Sequence, residues 1–179
     1  NFLINTILIT SAFYLFFVTL REFFTNKFRN LSQNIAHFGF SLLVLSILFN
    51  NIFSTEIITN LKVGETFENE KFKINFENIE QKQEKNFKAI IGKFNIESLN
   101  GNVEILRPEL RIYNQPNIVT SEADIKTTLL SDKFMTMNLV QNQEYFNIRY
   151  QSKPLMIWIW FSVLLLSLGG LLSLTKKKI

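Results

Sequence analysis

Three apolar runs stand apart from the rest of the chain: Phe2–Leu20, Ile35–Phe53 and Pro154–Leu174. Each matches the roughly 20 residues that a helix needs to cross a hydrocarbon core about 30 Å thick, so three membrane-spanning helices are expected. Beyond Asn50 and Asn51 the period changes to two: Phe72, Ile74 and Phe76 alternate with Lys71, Lys73, Asn75 and Glu77, as along a half-buried strand. Asn100-Gly101 falls between Phe94, Ile96 and Val103, Ile105, the pattern of a hairpin with a type I′ turn. Further strands are expected around Arg107–Tyr113, Phe134–Val140 and Phe146–Tyr150. The fold class is therefore a membrane α-helical protein with an inserted small antiparallel β domain. Residues 1–53 hold two helices (about 2–20 and 35–53), residues 54–153 the β domain, and residues 154–179 the last helix with a basic tail.

Details at the helix ends refine this reading. Phe13, Tyr14, Phe16 and Phe17 give the first helix a bulky, lipid-facing character. The third helix is expected to open at Pro154, whose missing N–H is harmless in a first turn. Trp158 and Trp160 then suit a membrane interface. Ser162, Gly169 and Ser173 form a narrow stripe that lets another helix approach closely. The first run has no basic segment before it and no small-residue cleavage site after it, unlike a secretion signal. Asn1 opens directly onto apolar sequence, and the chain is expected to be the tail of a longer polypeptide with more helices upstream.

Charge sets the sidedness. Arg21, Lys27 and Arg29 lie between the first two helices, and Lys176, Lys177 and Lys178 follow the third. Basic residues clustered in short loops mark the cytoplasmic or matrix face, so residues 54–153 belong on the outer face. That long stretch carries the other 13 basic residues against 14 acids, and no basic patch is left for a nucleic-acid groove. The chain has no cysteine, which rules out thiol exchange or thiolate metal binding by its own residues.

One residue in the apolar runs carries candidate chemistry. His37 is the only histidine, and it lies two residues into the second run. Ionisable side chains inside membranes are costly, so one that persists there is a functional candidate. Neutral imidazole suits both low dielectric and haem iron, which makes a haem ligand one reading. The other reading is a histidine at a helix entrance, its ring reaching headgroups. Asn34 and Ser41 share its helix face and are candidates to bond its second ring nitrogen, or else they pack against a neighbouring helix. Arg107, Glu109, Arg111 and Tyr113 share a strand face that could grip haem propionates or an acidic partner, or be a solvated ladder with Glu109 compensating the arginines. Glu122 and Asp124 could position a partner, but no paired acid/base carboxylates, phosphate loop or hydrolase triad is apparent.

The order of several short motifs resembles the C-terminal part of the CcmF family, the haem-lyase subunit of cytochrome c maturation. They are Ala36-His37-Phe38-Gly39, Asn86-Phe87-Lys88-Ala89, Arg107-Pro108-Glu109-Leu110-Arg111-Ile112-Tyr113, Thr120–Ile125, Asp132-Lys133-Phe134-Met135 and the Trp158-Ile159-Trp160 and Leu168-Gly169-Gly170 pieces of the last run. The resemblance implies that His37 is an axial ligand of a membrane haem b, with its partner histidine upstream of this chain. It further implies a subunit of a cytochrome c haem lyase, incomplete in this fragment, that supports haem reduction and thioether attachment to apocytochrome c. CcmH-type and CcmE-type maturation proteins, apocytochrome c and quinol are the implied partners. The implied location is the bacterial inner membrane, or alternatively the mitochondrial inner membrane. The rival reading is a haem-free membrane scaffold or assembly module with an outer β domain.

Overall fold

A computed structural model describes residues 2–25, 30–98, 101–140 and 144–175, and the chain forms two compact units. The first comprises Asn1–Ser54, Thr127–Asp132 and Lys153–Ile179; the second comprises Thr55–Lys126 and Lys133–Ser152.

Helices α1 (Phe2–Thr25), α2 (Leu31–Phe53) and α3 (Met156–Thr175) build the first unit. All three are long and apolar enough to cross a membrane. In such helices the backbone satisfies its own polar groups, and side-chain hydroxyls must do likewise. Thr19 and Ser41 solve this together: their hydroxyls meet at 2.7 Å between α1 and α2, one donating to the other, and the accepting hydroxyl returns its own proton to its helix, where Leu15 O lies within reach of Thr19 and Phe38 O within reach of Ser41. Phe16 packs on Phe38, and Phe13 meets Phe49 edge-on. Tyr14 and Phe17 stay exposed on the outer side of α1, consistent with a lipid-facing surface.

Small residues bring α2 and α3 together. A Cβ on Gly39 would stand 2.9 Å from Leu165 Cβ, and one on Gly169 would stand 2.8 Å from Ala36 Cβ. Ser162 is fully buried and returns its hydroxyl to Trp158 O. The partner of the small-residue stripe is therefore α2, although Ser173 at its end is exposed.

Two helix starts differ from the sequence expectation. The second helix begins at Leu31, taking Ser32, Gln33 and Asn34 into its first turn, and Asn34 N donates to Asn30 O. The third begins at Met156, because Pro154 ends a strand instead. Pro154 O accepts from Asn50 Nδ2 at 2.8 Å, and Leu155 turns the chain with a φ of 55° while its N–H donates to Leu130 O. The long-range bonds hold a left-handed non-glycine residue that a local reading has no reason to expect.

The second unit contains two antiparallel sheets. One has four strands in the order β1 (Thr55–Leu61), β10 (Phe146–Pro154), β9 (Ser131–Leu139), β8 (Asp124–Thr127). The other runs β2 (Thr66–Glu68), β3 (Phe72–Gln83), β4 (Phe87–Ser98), β6 (Glu109–Asn114), β7 (Asn117–Glu122), with β5 (Val103–Leu106) also pairing β4. Strands β1, β2, β7 and β8 are additional to those expected; β2 and β8 are short, and β7 is largely polar. The core draws on both sheets: Ile57, Ile148, Tyr150, Met135 and Met137 from one meet Ile74, Phe76, Phe94, Leu106 and Leu110 from the other. Phe76 and Phe94 stack with ring centroids 4.2 Å apart.

The β4–β5 hairpin is present, with Ile96 opposite Glu104. Its connection is closed by Gly101 N bonding Ser98 O, so Gly101, at φ 74°, is the last residue of the turn rather than part of its centre. Asn100 lies outside the described residues, as do Lys27, Arg29 and Lys176–Lys178 of the basic clusters.

Candidate functional site

His37 projects from the second turn of α2 onto an exposed face. There it lines a cleft of about 480 Å³ with Asn30, Ser32, Gln33 and Ala36 of the α2 entrance and Gly169, Gly170 and Ser173 of α3. The α3 wall carries two glycines beside Ser173. Gly169 is pressed against Ala36 and the Ser32 carbonyl, which sets the close approach of the helices. Gly170 has nothing within 4 Å of where a Cβ would stand, so the next position along leaves open space beside the imidazole.

The two expected partners of the His37 ring separate. Ser41 is fully buried on the α1 side of the helix, with its hydroxyl bonded to Thr19 and Phe38 O, and so it serves helix packing. Asn34 is buried as well, whereas His37 is exposed. Three or four residues of separation permits a shared face but does not require it, because neighbouring helices decide which side chains turn inward. Among the described residues no hydrogen bond claims either nitrogen of the His37 ring, and no cluster of three potential metal-ligating side chains forms.

These features fit a haem ligand in one respect that the donor chemistry makes specific. The imidazole, unpartnered among the described residues, opens onto a cleft lined by small and polar residues, and a ring nitrogen so placed is a donor that haem iron accepts. The donor set of the cleft is that one imidazole.

The strand face singled out from the sequence is placed as a solvated ladder. Arg111 pairs with Glu109 at 3.0 Å and lies over the Phe87 ring, which in turn meets Tyr113. The Glu109 hydrogen bond raises the guanidinium pKa still further, so Arg111 is permanently charged and already partnered. Arg107 precedes β6, and its N–H donates to Asp124 at 2.6 Å. Glu122 accepts from the Thr120 hydroxyl. The carboxylates thus order the chain's own turns. The cleft residues Asn30, Ser32, Gln33, Ala36 and Gly170 are the ones sequence reasoning missed; the first four lie within two turns of His37, but nothing local ties Gly170 to it.

Long apolar helices carrying a two-sheet antiparallel β domain define a membrane-helix protein with a β-sandwich module. The profile described as CcmF C-terminal beta-sandwich matches residues 52–154, and the chain belongs to the CcmF family. The cytochrome c-type biogenesis protein CcmF of Haemophilus influenzae is 30% identical over 167 residues, covering 89% of this chain and 26% of that protein. The protein CycK of Bradyrhizobium diazoefficiens, of the same description, is 22% identical, covering 81% of this chain and 22% of its own length. A solved structure titled "Cytochrome c Heme Lyase CcmF" superposes with a TM-score of 0.62 at 20% identity, over 80% of this chain and 24% of that one, and so shares the fold. The chain spans about a quarter of the length of the curated relatives it matches.

Proposed function

We propose that the protein is part of a cytochrome c haem lyase and that His37 is an axial ligand of a haem b held among its membrane helices. The observation that carries this reading is the exposed imidazole on the cleft opposite Gly170, in a helix long and apolar enough to span the bilayer. The relatives are bacterial proteins of cytochrome c biogenesis, which supports placement in a bacterial inner membrane; a mitochondrial inner membrane would present the same sidedness. The β-sandwich would face the outer side, as the distribution of arginine and lysine suggests.

When bound, haem b supplies a one-electron carrier, fed from quinol, that supports reduction of the haem to be attached to apocytochrome c. The chain's own part is narrower. His37 would offer a ring-nitrogen lone pair to the iron. Close packing of Gly39 on Leu165 and Gly169 on Ala36 holds α2 and α3 in a fixed spacing, so the ring and the cleft wall keep their separation. The second ligand would come from a part of the full-length protein outside this chain. CcmE-type and CcmH-type proteins are the expected partners on the outer side.

The test uses the full-length protein purified in detergent or nanodiscs. His37→Ala should weaken or abolish the sharp reduced haem absorption bands while leaving the protein monodisperse. Normal haem content and cytochrome c assembly in that variant would overturn the reading and leave a haem-free assembly scaffold in its place.

A further inference from the structure

The turn between β8 and β9 presents two neighbouring leucines with no core to bury them. Leu129 is 68% exposed and Leu130 is 73% exposed. Thr127–Asp132 belongs to the same compact unit as the helices. Leu155 N donates to Leu130 O at 2.8 Å, and Trp158 Nε1 donates to Leu129 O at 2.8 Å, which ties the tip to the start of α3. Leu129 joins Ile157, Trp158 and Phe161 in lining an apolar groove of about 190 Å³. The groove runs into the exposed side chains of α3, Trp160, Phe161 and Leu164.

The polar groups of the tip are also consumed. Thr128 N and its hydroxyl both donate to Ser131 O, and Ser131 N donates back to the Thr128 hydroxyl. With the two leucine carbonyls already taken by α3, most of the turn's backbone has internal partners. A water-facing loop gains little from such closure, whereas a segment entering a low-dielectric layer requires it. The composition agrees: two aliphatic side chains stand at the tip with a tryptophan beside it, a combination suited to a membrane interface.

We propose that the Thr128–Ser131 turn is a lipid-binding element, with Leu129 and Leu130 inserted at the headgroup–acyl boundary and a phospholipid acyl chain lying in the groove beside Trp158. Lipid is the occupant because the surface is continuous with the exposed face of a membrane-length helix and the groove is lined by apolar side chains, with most of the turn's polar backbone already bonded within the chain. The turn and α3 then enter the same leaflet together, as an interfacial segment does when its apolar face sits shallowly in the bilayer.

The experiment is site-directed spin labelling of the full-length protein in lipid nanodiscs, native cysteines replaced. A nitroxide at Leu130→Cys is read by collision with oxygen, which concentrates in acyl chains, and with a water-soluble nickel chelate. Oxygen accessibility should exceed nickel accessibility, as at the reference site Leu164→Cys on α3. Nickel-dominated collisions at Leu130 with oxygen-dominated ones at Leu164 would place the tip in water and overturn the proposal. Low accessibility to both reagents would mean that protein covers the tip, and would overturn it equally. Leu129→Cys repeats the measurement with a second substitution. None of these readings depends on haem, so the proposal and the ligand assignment of His37 fail separately.

Discussion

Gly169 and Gly170 are chain neighbours with different physical roles. At Gly169 an added Cβ would meet Ala36 Cβ and Ala36 N at 2.8 Å and Ser32 O at 2.9 Å, two of them backbone atoms that cannot step aside. Gly169→Val should push α2 from α3 and destabilise the helical unit by about 1–3 kcal/mol, as overpacking does. At Gly170 the same Cβ meets nothing, so Gly170→Ala should leave stability unchanged or slightly improved. Thermal unfolding of the two variants in nanodiscs checks both signs. Gly170→Leu carries the proposed function further: it should lower haem content without lowering the unfolding midpoint, since the added side chain fills the space facing His37. Equal stability losses at the two positions would show that the helices are not packed as described.

At the scale of elements, the β-sandwich depends on how closely its strands lie across the core. Gly92 of β4 stands where a Cβ would be 2.7 Å from Phe94 Cε2 and 2.8 Å from Met137 Sδ of β9 in the facing sheet. The opposing strand β3 shifts register between Phe76 and Asn78, which sets Ile79 against Gly92. Gly92→Val should cost about 1–3 kcal/mol, softened by the flexible methionine, and a lowered denaturant midpoint is the readout. An unchanged midpoint would mean that the sheets can part there at no cost. Beside the irregularity, Lys93 pairs with Glu77 at 2.7 Å and holds its carboxyl below the ordinary carboxylate range. That clasp is in place above the unfolded value and is lost as acid protonates Glu77 through its lowered folded value; with both side chains partly solvated, the effect on stability is small.

For the whole molecule, the proposed sidedness places the β-sandwich outside and the α1–α2 connection inside. Trypsin added to sealed, right-side-out vesicles should cut at Lys82 or Lys85, which are exposed at the β3–β4 end, and should spare Arg21. Cleavage at Arg21 with the sandwich intact would reverse the topology. The same orientation sets the depth of His37: about 1.5 Å per residue puts it near 9 Å along α2 from Leu31, towards the inner end of the span. The Leu129–Leu130 tip, bonded to the start of α3, then lies at the opposite interface.

The sequence by itself determined the three helices and the main strands of the sandwich, because a solid apolar run and a period-two alternation are local signals that water and lipid read without knowledge of the partner; strands β1, β2, β7 and β8 carried no such signal. It also marked His37, since an ionisable residue in such a run is costly wherever it points. Tertiary structure alone decided the direction of each side chain and the exact ends of the elements. Ser41 turned to Thr19 of α1 rather than to His37, and Pro154 ended a strand because Asn50 and Leu130 hold the chain around it. Gly170 came to line the same cleft as His37 through the packing of Gly39 and Gly169 against the opposite helix. These are contacts between residues more than twenty positions apart, and their energies depend on shape complementarity that no stretch of sequence expresses on its own.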